Sequence, residues 1–487
     1  MNFSFFTRCT SFQQSVRVYT VFASLLILGN TAAEAAQDPP NILLVIADDM
    51  GLDASPCYAR GKHKPNMPVL EKFCREGVVF ENAYAAPTCS PTRATMMTGR
   101  YGFRTGIGTV VRPGGAPGLR LSEQTIFQFL DRHTRRGYAH AVIGKWHLSD
   151  RTNGGAEHPA KAGVGYYAGV LRGAVRDYYN WSRVHNGKRK QITSYITSSL
   201  TREASKWINR QKKPWFLWLA HVAPHLPLHL PPKNLHSRFE LNGQPDDLRA
   251  RPREYFFAAL EAMDKEIGNL LARMPKSIRD NTVVIFMGDN GTPPRVSQDY
   301  RRSRTKGTIY EGGVRVPLIV WGKGVLRRGA RDRSLINTTD MFATIAELAG
   351  VALNRTAMPE DSVSFARLLS RSVKTSRRFA YVEQFAPKSS LARLQSAGAQ
   401  DLPTRMRWRL RRLARNVGRA IRDSRWKYIE FQNGQRRLYN LNSDPLEQNN
   451  LLASQKTMSK AALAALARLK AHLARLGESR GRGQKSR

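Results

Sequence analysis

Cysteine is scarce, at 4 of 487 residues, so a disulfide-stapled miniature scaffold is excluded. No uninterrupted apolar run reaches the roughly 20 residues that a spanning helix needs, which excludes a polytopic helical membrane protein. Acidic residues are few, 37 Asp and Glu against 78 Lys and Arg, and the formal charge is +41. An acidic partner is therefore expected, and nucleic acid, anionic lipid or a sulfated or carboxylated polymer would each satisfy the charge. What is present is ordinary for a folded protein. Apolar residues make up 41% and charged residues 24%, enough for a sizeable core and too apolar for wholesale disorder. The length suits about three average domains, or one large α/β domain with an appendage.

The first 35 residues have the pattern of an export signal. Arg8 and Arg17 supply positive charge, Val18 to Leu28 is a mostly apolar run, and Ala33-Glu34-Ala35 offers small residues where a signal peptidase cuts. The expected location is periplasmic or extracellular, or lysosomal in a eukaryotic host. Cleavage would remove Cys9 and leave Cys57, Cys74 and Cys89, an odd number for an oxidising compartment. A Cys57–Cys74 pair with Cys89 kept for chemistry is one arrangement; three buried thiols is the other.

Four short apolar runs read as strands and end in polar clusters. Asn41 to Ala47 leads to Asp48-Asp49, and Ala139 to Gly144 to Lys145-Trp146-His147. Trp215 to Ala220 leads to His221 and Pro224-His225, and Thr282 to Gly288 to Asp289-Asn290. Runs apolar at nearly every position are expected of strands buried on both faces. Helical patterns separate them, at Pro68 to Glu76, Glu123 to Arg132, Ser198 to Gln211 and Glu254 to Met274. The alternation predicts an α/β fold with a large, mostly parallel sheet and helices on both faces. Ligands of such sheets bind beyond the carboxyl ends of the strands, so the four clusters should converge.

Their chemistry is coherent. Asp48, Asp49, Asp289 and Asn290 are hard oxygen donors, which suit Ca²⁺, or less well Mg²⁺, better than zinc. Ser90 and Pro91 have the character of a helix N-cap and first residue, with the helix running to about Thr98. Cys89 would then sit at a helix N-terminus, where negative charge is favoured and a low-pKa thiol is the generic expectation. Arg93 lies one turn further in.

Cys89-Ser90-Pro91-Thr92-Arg93, followed by Thr98-Gly99-Arg100, resembles the signature of type I sulfatases within the alkaline phosphatase superfamily. The stretch from Gly137 through Gly144-Lys145-Trp146-His147 is similar to the family's second signature. The likeness continues through Ala223-Pro224-His225, Gly288-Asp289-Asn290-Gly291, Lys306-Gly307-Thr308 with Glu311-Gly312-Gly313, and Asp444-Pro445 with Glu447 and Asn450-Leu451. It covers most of residues 40–455. Thr98 to Tyr101 and Asp177 to Tyr179 resemble, more weakly, the arylsulfatase B-like branch.

The resemblance implies a sulfuric ester hydrolase with an alkaline phosphatase-like fold. A formylglycine-generating enzyme would convert Cys89 to Cα-formylglycine, whose hydrate attacks sulfur and forms a covalent sulfo-enzyme intermediate. Asp48, Asp49, Asp289 and Asn290, with residue 89, would hold the cation. Arg93 would steady that centre, Lys145 and Lys306 would hold sulfate oxygens, His225 would protonate the leaving alcohol, and His147 would remove a proton so that sulfate is expelled. A sulfate monoester is anionic at any relevant pH, so a cation with Arg and Lys around it is electrostatically sensible. His221 is expected to be a core histidine, and His229 is a candidate for substrate contact. The expected substrate is a sulfated carbohydrate or an aryl sulfate. The nearest rival is a phosphonate or phosphate ester hydrolase of the same superfamily, whose members usually carry Asp-His where this chain has Asp289-Asn290. A non-catalytic polyanion-binding protein is the rival from another class.

The catalytic part is expected over residues 36–370. Residues 371–487 should form a small antiparallel sheet with a helix, with strands at Ala380 to Phe385, Trp426 to Phe431 and Arg437 to Leu441. An apolar stripe of Met406, Leu410, Leu413, Val417 and Ile421 predicts a basic helix over 405–422, and Met458 to Leu476 a second helix. These helices could touch an anionic surface peripherally. They carry few aromatics and no nucleic-acid module motif, so nucleic acid is not the expected partner.

Overall fold

The computed structural model describes residues 39–112, 115–135, 137–387, 404–453 and 458–485. The export signal expected over 1–35 and the side chains of Met406 and of the last basic residues lie outside the described part. Eleven strands form one sheet: β1 (Asn41–Ala47), β2 (Val78–Tyr84), β3 (Ala139–Lys145), β4 (Tyr166–Val170), β5 (Trp181–His185), β6 (Lys188–Ile192), β7 (Trp215–Ala220), β8 (Thr282–Gly288), β9 (Arg315–Val316), β10 (Leu318–Gly322) and β11 (Ala330–Asn337). Their order is β11-β2-β10-β8-β1-β7-β3-β4-β5-β6, with β9 beside β2. The middle five, β8-β1-β7-β3-β4, are mutually parallel. Only β5, β9 and β10 run against the rest. The sheet is thus mostly parallel, as the alternation predicts, and its antiparallel members lie outside the middle.

The helices of eight residues or more are α1 (Pro68–Glu76), α2 (Cys89–Thr98), α3 (Ile126–His133), α4 (Ile196–Ile208), α5 (Pro252–Ala272), α6 (Asp340–Leu348), α7 (Thr404–Asn416) and α8 (Lys460–Lys485). Strand β1 explains why its run is apolar from Ile42 to Ala47. Ile42, Leu44 and Ile46 enter one core with α2, α3 and α6. Leu43, Val45 and Ala47 enter the other with α1, α4 and α5. Period-2 side chains on a strand covered on both faces leave no polar position. Among the described residues no helix is long and apolar enough to cross a membrane.

The second sheet is β12 (Ala380–Gln384), β13 (Gly418–Arg422), β14 (Trp426–Phe431) and β15 (Arg436–Asn440), antiparallel in that order. One face packs Ile421, Trp426, Tyr428 and Leu438 under Ala462, Ala465, Leu469 and Leu473 of α8. The other packs Ala420, Ile429 and Tyr439 against Tyr84, Ile309 and Val314 of the larger part. A buried charge cluster sits at this joint. Lys427 Nζ lies 2.9 Å from Glu311 Oε1 and 3.0 Å from Glu447 Oε1. The Glu311 amide donates to Glu447 Oε2 at 2.6 Å, and Tyr84 donates to Glu311 Oε2 at 2.8 Å.

Two local expectations are corrected. The basic helix expected over 405–422 ends at Asn416, and Gly418–Arg422 is strand β13. A Cβ at Gly418 would fall 2.5 Å from the Glu430 carbonyl oxygen, so this position belongs to close strand pairing. Thr88, not Ser90, precedes α2, so Cys89 is its first residue. Cys57 and Cys74 form a disulfide and Cys89 is a buried free thiol, which resolves the arrangement that the sequence leaves open.

Candidate active site

Strands β8, β1, β7 and β3 are neighbours, so their carboxyl ends deliver Asp289-Asn290, Asp48-Asp49, His221 to His225, and Lys145 to His147 to one end of the sheet. Helix α2 enters at the same end. It brings Cys89 and, one turn later, Arg93, and it stops at Gly99, whose φ of 66° is the left-handed conformation of a helix end. The segment after β8 brings Lys306. The Lys306 amide donates to the Thr292 carbonyl at 3.1 Å and the Gly307 amide to the Pro87 carbonyl at 2.8 Å, which ties this segment to the entry of α2.

The acids interlock. The Asp49 amide donates to Asp289 Oδ1 at 3.0 Å, and Asn290 Nδ2 to Asp49 Oδ1 at 2.9 Å. Asp49 adopts φ 81°, a left-handed backbone that Asp tolerates better than most side chains do. Arg93 is buried; its guanidinium donates to Asp289 Oδ2 at 2.9 Å and to the Lys145 carbonyl at 2.7 Å, and stands 3.9 Å from Asp48 Oδ2. Lys145 is ion-paired to Asp48, and Lys306 to Asp49. Thr92 donates to the Asp289 carbonyl at 2.7 Å and so fastens α2 to the end of β8.

Cys89 Sγ lies 3.1 Å from His147 Nδ1. On the far side, His225 Nε2 is 3.8 Å from Asp49 Oδ2. His225 Nδ1 is 2.8 Å from the Leu226 carbonyl, which can only accept, so Nδ1 carries the proton. The Tyr178 hydroxyl donates to the His225 carbonyl at 2.5 Å and holds the backbone beneath the ring.

Burial and charge act against each other throughout. Burial, and then the neighbouring Asp289 carboxylate, pushes Asp48 well above the carboxylate range, although Lys145 and Arg93 oppose it. Burial pushes Asp49 the same way but loses to Lys306, His225 and Lys145, which hold it below that range. Burial, reinforced by Lys145 and Arg93, keeps His147 well below its ordinary value, and burial takes His225 down to about 3. Burial also raises the Cys89 thiol, against the pull of Lys145. The low-pKa thiol expected of a helix N-terminus is therefore corrected: residue 89 is not a ready thiolate nucleophile.

Within the acid cluster, three buried acceptors have no hydrogen-bond partner: Asp48 Oδ1, Asp49 Oδ2 and Asn290 Oδ1. Unpaired buried oxygens are costly unless a cation meets them. Donor atoms of Asp48, Asp49 and His225 lie within 4.8 Å of one another, as do those of Asp48, Cys89 and Asp289. The set fits a divalent cation that prefers oxygen.

Two histidines stand apart. His221 is fully buried with neither ring nitrogen bonded, as expected of a core residue. His229 stacks on Tyr178 with ring centroids 3.6 Å apart and pairs with the Tyr195 hydroxyl at 3.1 Å, so its contacts are with packing side chains. Sequence reasoning missed Gly173. A Cβ there would fall 2.2 Å from His147 Cε1, so the segment after β4 rests directly on that ring.

Residues 40–351 match the family model described as Sulfatase. The chain is 30% identical over 378 residues to the N-acetylgalactosamine-6-sulfatase of Mus musculus, which covers 70% of this chain and 67% of that protein. It is 30% identical over 353 residues to the Homo sapiens enzyme of the same name, 66% of this chain and 64% of that one. The match thus spans about two thirds of these relatives' own length. Among solved structures, the PsFucS1 sulfatase from Pseudoalteromonas sp. superposes with a TM-score of 0.67 at 22% identity, covering 95% of this chain and 94% of that one, which is a likeness of fold.

Proposed function

This chain belongs to the sulfatase family, and we propose that it hydrolyses sulfate monoesters of a sulfated glycan at the site built around residue 89. The observation that carries the reading is the set of unpartnered, buried oxygens on Asp48, Asp49 and Asn290, enclosed by Arg93, Lys145 and Lys306 beside Cys89. Asp48, Asp49, Asp289 and Asn290, with residue 89, would hold Ca²⁺, or less well Mg²⁺. The ion would supply Lewis-acid stabilisation of developing negative charge. Cys89, converted to Cα-formylglycine by a formylglycine-generating enzyme, would supply a carbonyl chemistry that a cysteine side chain does not have.

The chain's own residues have separable tasks. Lys145 and Lys306 are paired to Asp48 and Asp49 and are the cations that sulfate oxygens would draw. Arg93 fixes Asp289 and the Lys145 backbone with one guanidinium, so it sets the spacing between β3 and β8 ends. His225 keeps its proton on Nδ1 and presents Nε2, the atom that would hand a proton to the leaving alcohol. A bound sulfate monoester favours the charged ring electrostatically. His147 is neutral, and its Nδ1 faces residue 89, the position from which it would take a proton as sulfate is expelled.

The relatives' names specify a sulfated amino sugar, which supports a sulfated saccharide here. The Cys57–Cys74 disulfide supports an oxidising location, exported or, in a eukaryotic host, lysosomal. The test couples mass spectrometry of the peptide containing residue 89 with rates on 4-nitrophenyl sulfate and on an aryl phosphonate ester. Protein matured with a formylglycine-generating system should carry an aldehyde at residue 89 and prefer the sulfate. Unaltered turnover in Cys89→Ala, or a dominant phosphonate activity, overturns the reading. An unmodified cysteine with tight, unproductive glycan binding favours the non-catalytic alternative.

A further inference from the structure

The site opens into a cavity of about 1400 Å³ whose floor includes Cys89, His147, His225 and Lys306. The cationic side chains on its walls are Arg112, Arg151, Arg172 and Arg189, and they come from four separate segments. The only acid among the lining residues is Asp150. Its carboxylate is committed to the Gly118 amide at 2.6 Å and the Thr152 amide at 2.8 Å. The general basicity of the chain does not account for this wall. A second groove, at the opposite end of the sheet, carries Lys72, Arg279, Lys323 and Arg328 with Glu76 and Asp280. That mixture repeats the chain's own proportion of 78 basic to 37 acidic residues, and the catalytic cavity departs from it.

Arg151, Arg172 and Arg189 are exposed, and their side chains form no ion pair or hydrogen bond among the described residues. Arg172 precedes Gly173, the residue packed on the His147 ring, so this guanidinium starts beside the floor. Arg151 follows the strand end that carries Lys145 and His147, and Arg189 lies on β6. Guanidinium groups on a concave wall focus potential into the cavity and match the paired oxygens of a sulfate or carboxylate. A singly charged ester, already met by Lys306 on the floor and by Lys145 in the site beneath it, gives three more arginines nothing to bind.

We infer that Arg151, Arg172 and Arg189 form a subsite for a second anionic group, sulfate or carboxylate, on a sugar adjoining the one whose ester reacts. The preferred substrate is then a multiply charged saccharide. This deepens the sulfatase reading and rests on it for the reacting ester.

The test compares wild type with Arg151→Ala, Arg172→Ala, Arg189→Ala and the triple variant on three substrates: 4-nitrophenyl sulfate, a disulfated disaccharide and a monosulfated disaccharide carrying a uronate. Each single substitution should lower the ratio of kcat/KM for a doubly charged sugar to that for the aryl sulfate by about tenfold, the scale of one lost hydrogen bond to a charged group at an exposed site. The loss should fall mainly on KM and shrink as salt rises. A response to the disulfated sugar alone assigns the second group as sulfate, and a response to the uronate alone assigns it as carboxylate. Equal losses on all substrates, or none, overturn the subsite. Calorimetric binding of the disulfated disaccharide to wild type and to the triple variant tests it without turnover: unchanged affinity overturns the subsite, whereas absence of sulfate hydrolysis by the matured wild type speaks only against the sulfatase reading.

Discussion

Two of the buried charge clusters among the described residues are built differently. At the joint between the sheets, Lys427 stands between Glu311 and Glu447, while a backbone amide and the Tyr84 hydroxyl meet the remaining glutamate oxygens. Each charge there has an opposite neighbour. At the ends of β1 and β8 three basic side chains also surround three aspartates, yet Asp48 Oδ1 and Asp49 Oδ2 face no donor. Burying charge is expensive in both places. At the joint a single oxygen, Glu447 Oε1, has no hydrogen bond, and the Lys427 ammonium still faces it at 3.0 Å, whereas the site gathers three such oxygens, on Asp48, Asp49 and Asn290, in one place. The mark of function is therefore the cluster of unmet acceptors, more than the buried charge.

The largest expected effect breaks the open cluster. Asp49→Asn keeps the size and tolerates the left-handed backbone, but removes the charge; sulfate ester turnover should fall on the order of 10³-fold, the scale of losing one stabiliser of developing charge. Steady-state rates with and without a chelator check it, since stripping the proposed divalent cation from wild type should give a comparable loss. An undiminished rate would erase the distinction between the clusters.

Lys427→Met attacks the closed cluster. Removing one partner of a buried pair costs about 3–5 kcal/mol, read from urea unfolding, while kcat per folded molecule should stay within about twofold if the joint is structural. A variant of normal stability with a collapsed kcat would show that the joint belongs to the catalytic machinery.

The smallest effect concerns a third kind of buried acid, one with no ion-paired cation among the described residues. Asp264 accepts the Val69 and Leu70 amides at 3.0 and 2.8 Å, at the start of α1. Burial raises its pKa to about 7, against the pull of those amides. The folded state thus holds a proton that the unfolded state releases near pH 4, so this contribution to stability is present below pH 4 and is lost as pH rises toward 7. Asp264→Asn should flatten the pH dependence of the unfolding midpoint between pH 4.5 and 7 while leaving turnover unchanged. An unchanged slope would mean that Asp264 is ionised like the acids that have cations.

The central strands were legible because burial on both faces leaves no polar residue to break the pattern. Three of the four predicted runs have the observed bounds, and the fourth extends one residue to Lys145. Flanking strands were harder. The β5–β6 hairpin turns at Asn186-Gly187, with φ of 42° and 86°, a pair that signals such a turn, but only Trp181 and Val184 of its ten strand residues are buried. The helix expected through 422 failed because Val417 and Ile421 continue a helical spacing, although Val417 leads into strand β13 and Ile421 lies on it, packed under α8. At the site, residue types and strand ends could be read from the chain. The contact of Gly173 with His147, the grip of Tyr178 on the His225 carbonyl and the meeting of arginines from four segments depend on how distant pieces pack, which no local pattern encodes.

The cavity wall also draws Gln384, Pro387 and Leu413 from beyond residue 371. The small sheet and its flanking segments therefore serve as more than a buttress. Mutation there can reshape which molecules fit without disturbing any residue that would hold the ion, so selectivity and reactivity can drift separately in this lineage. Grafting the corresponding segment from a sister protein is the natural route to a new preference on an unaltered reaction centre.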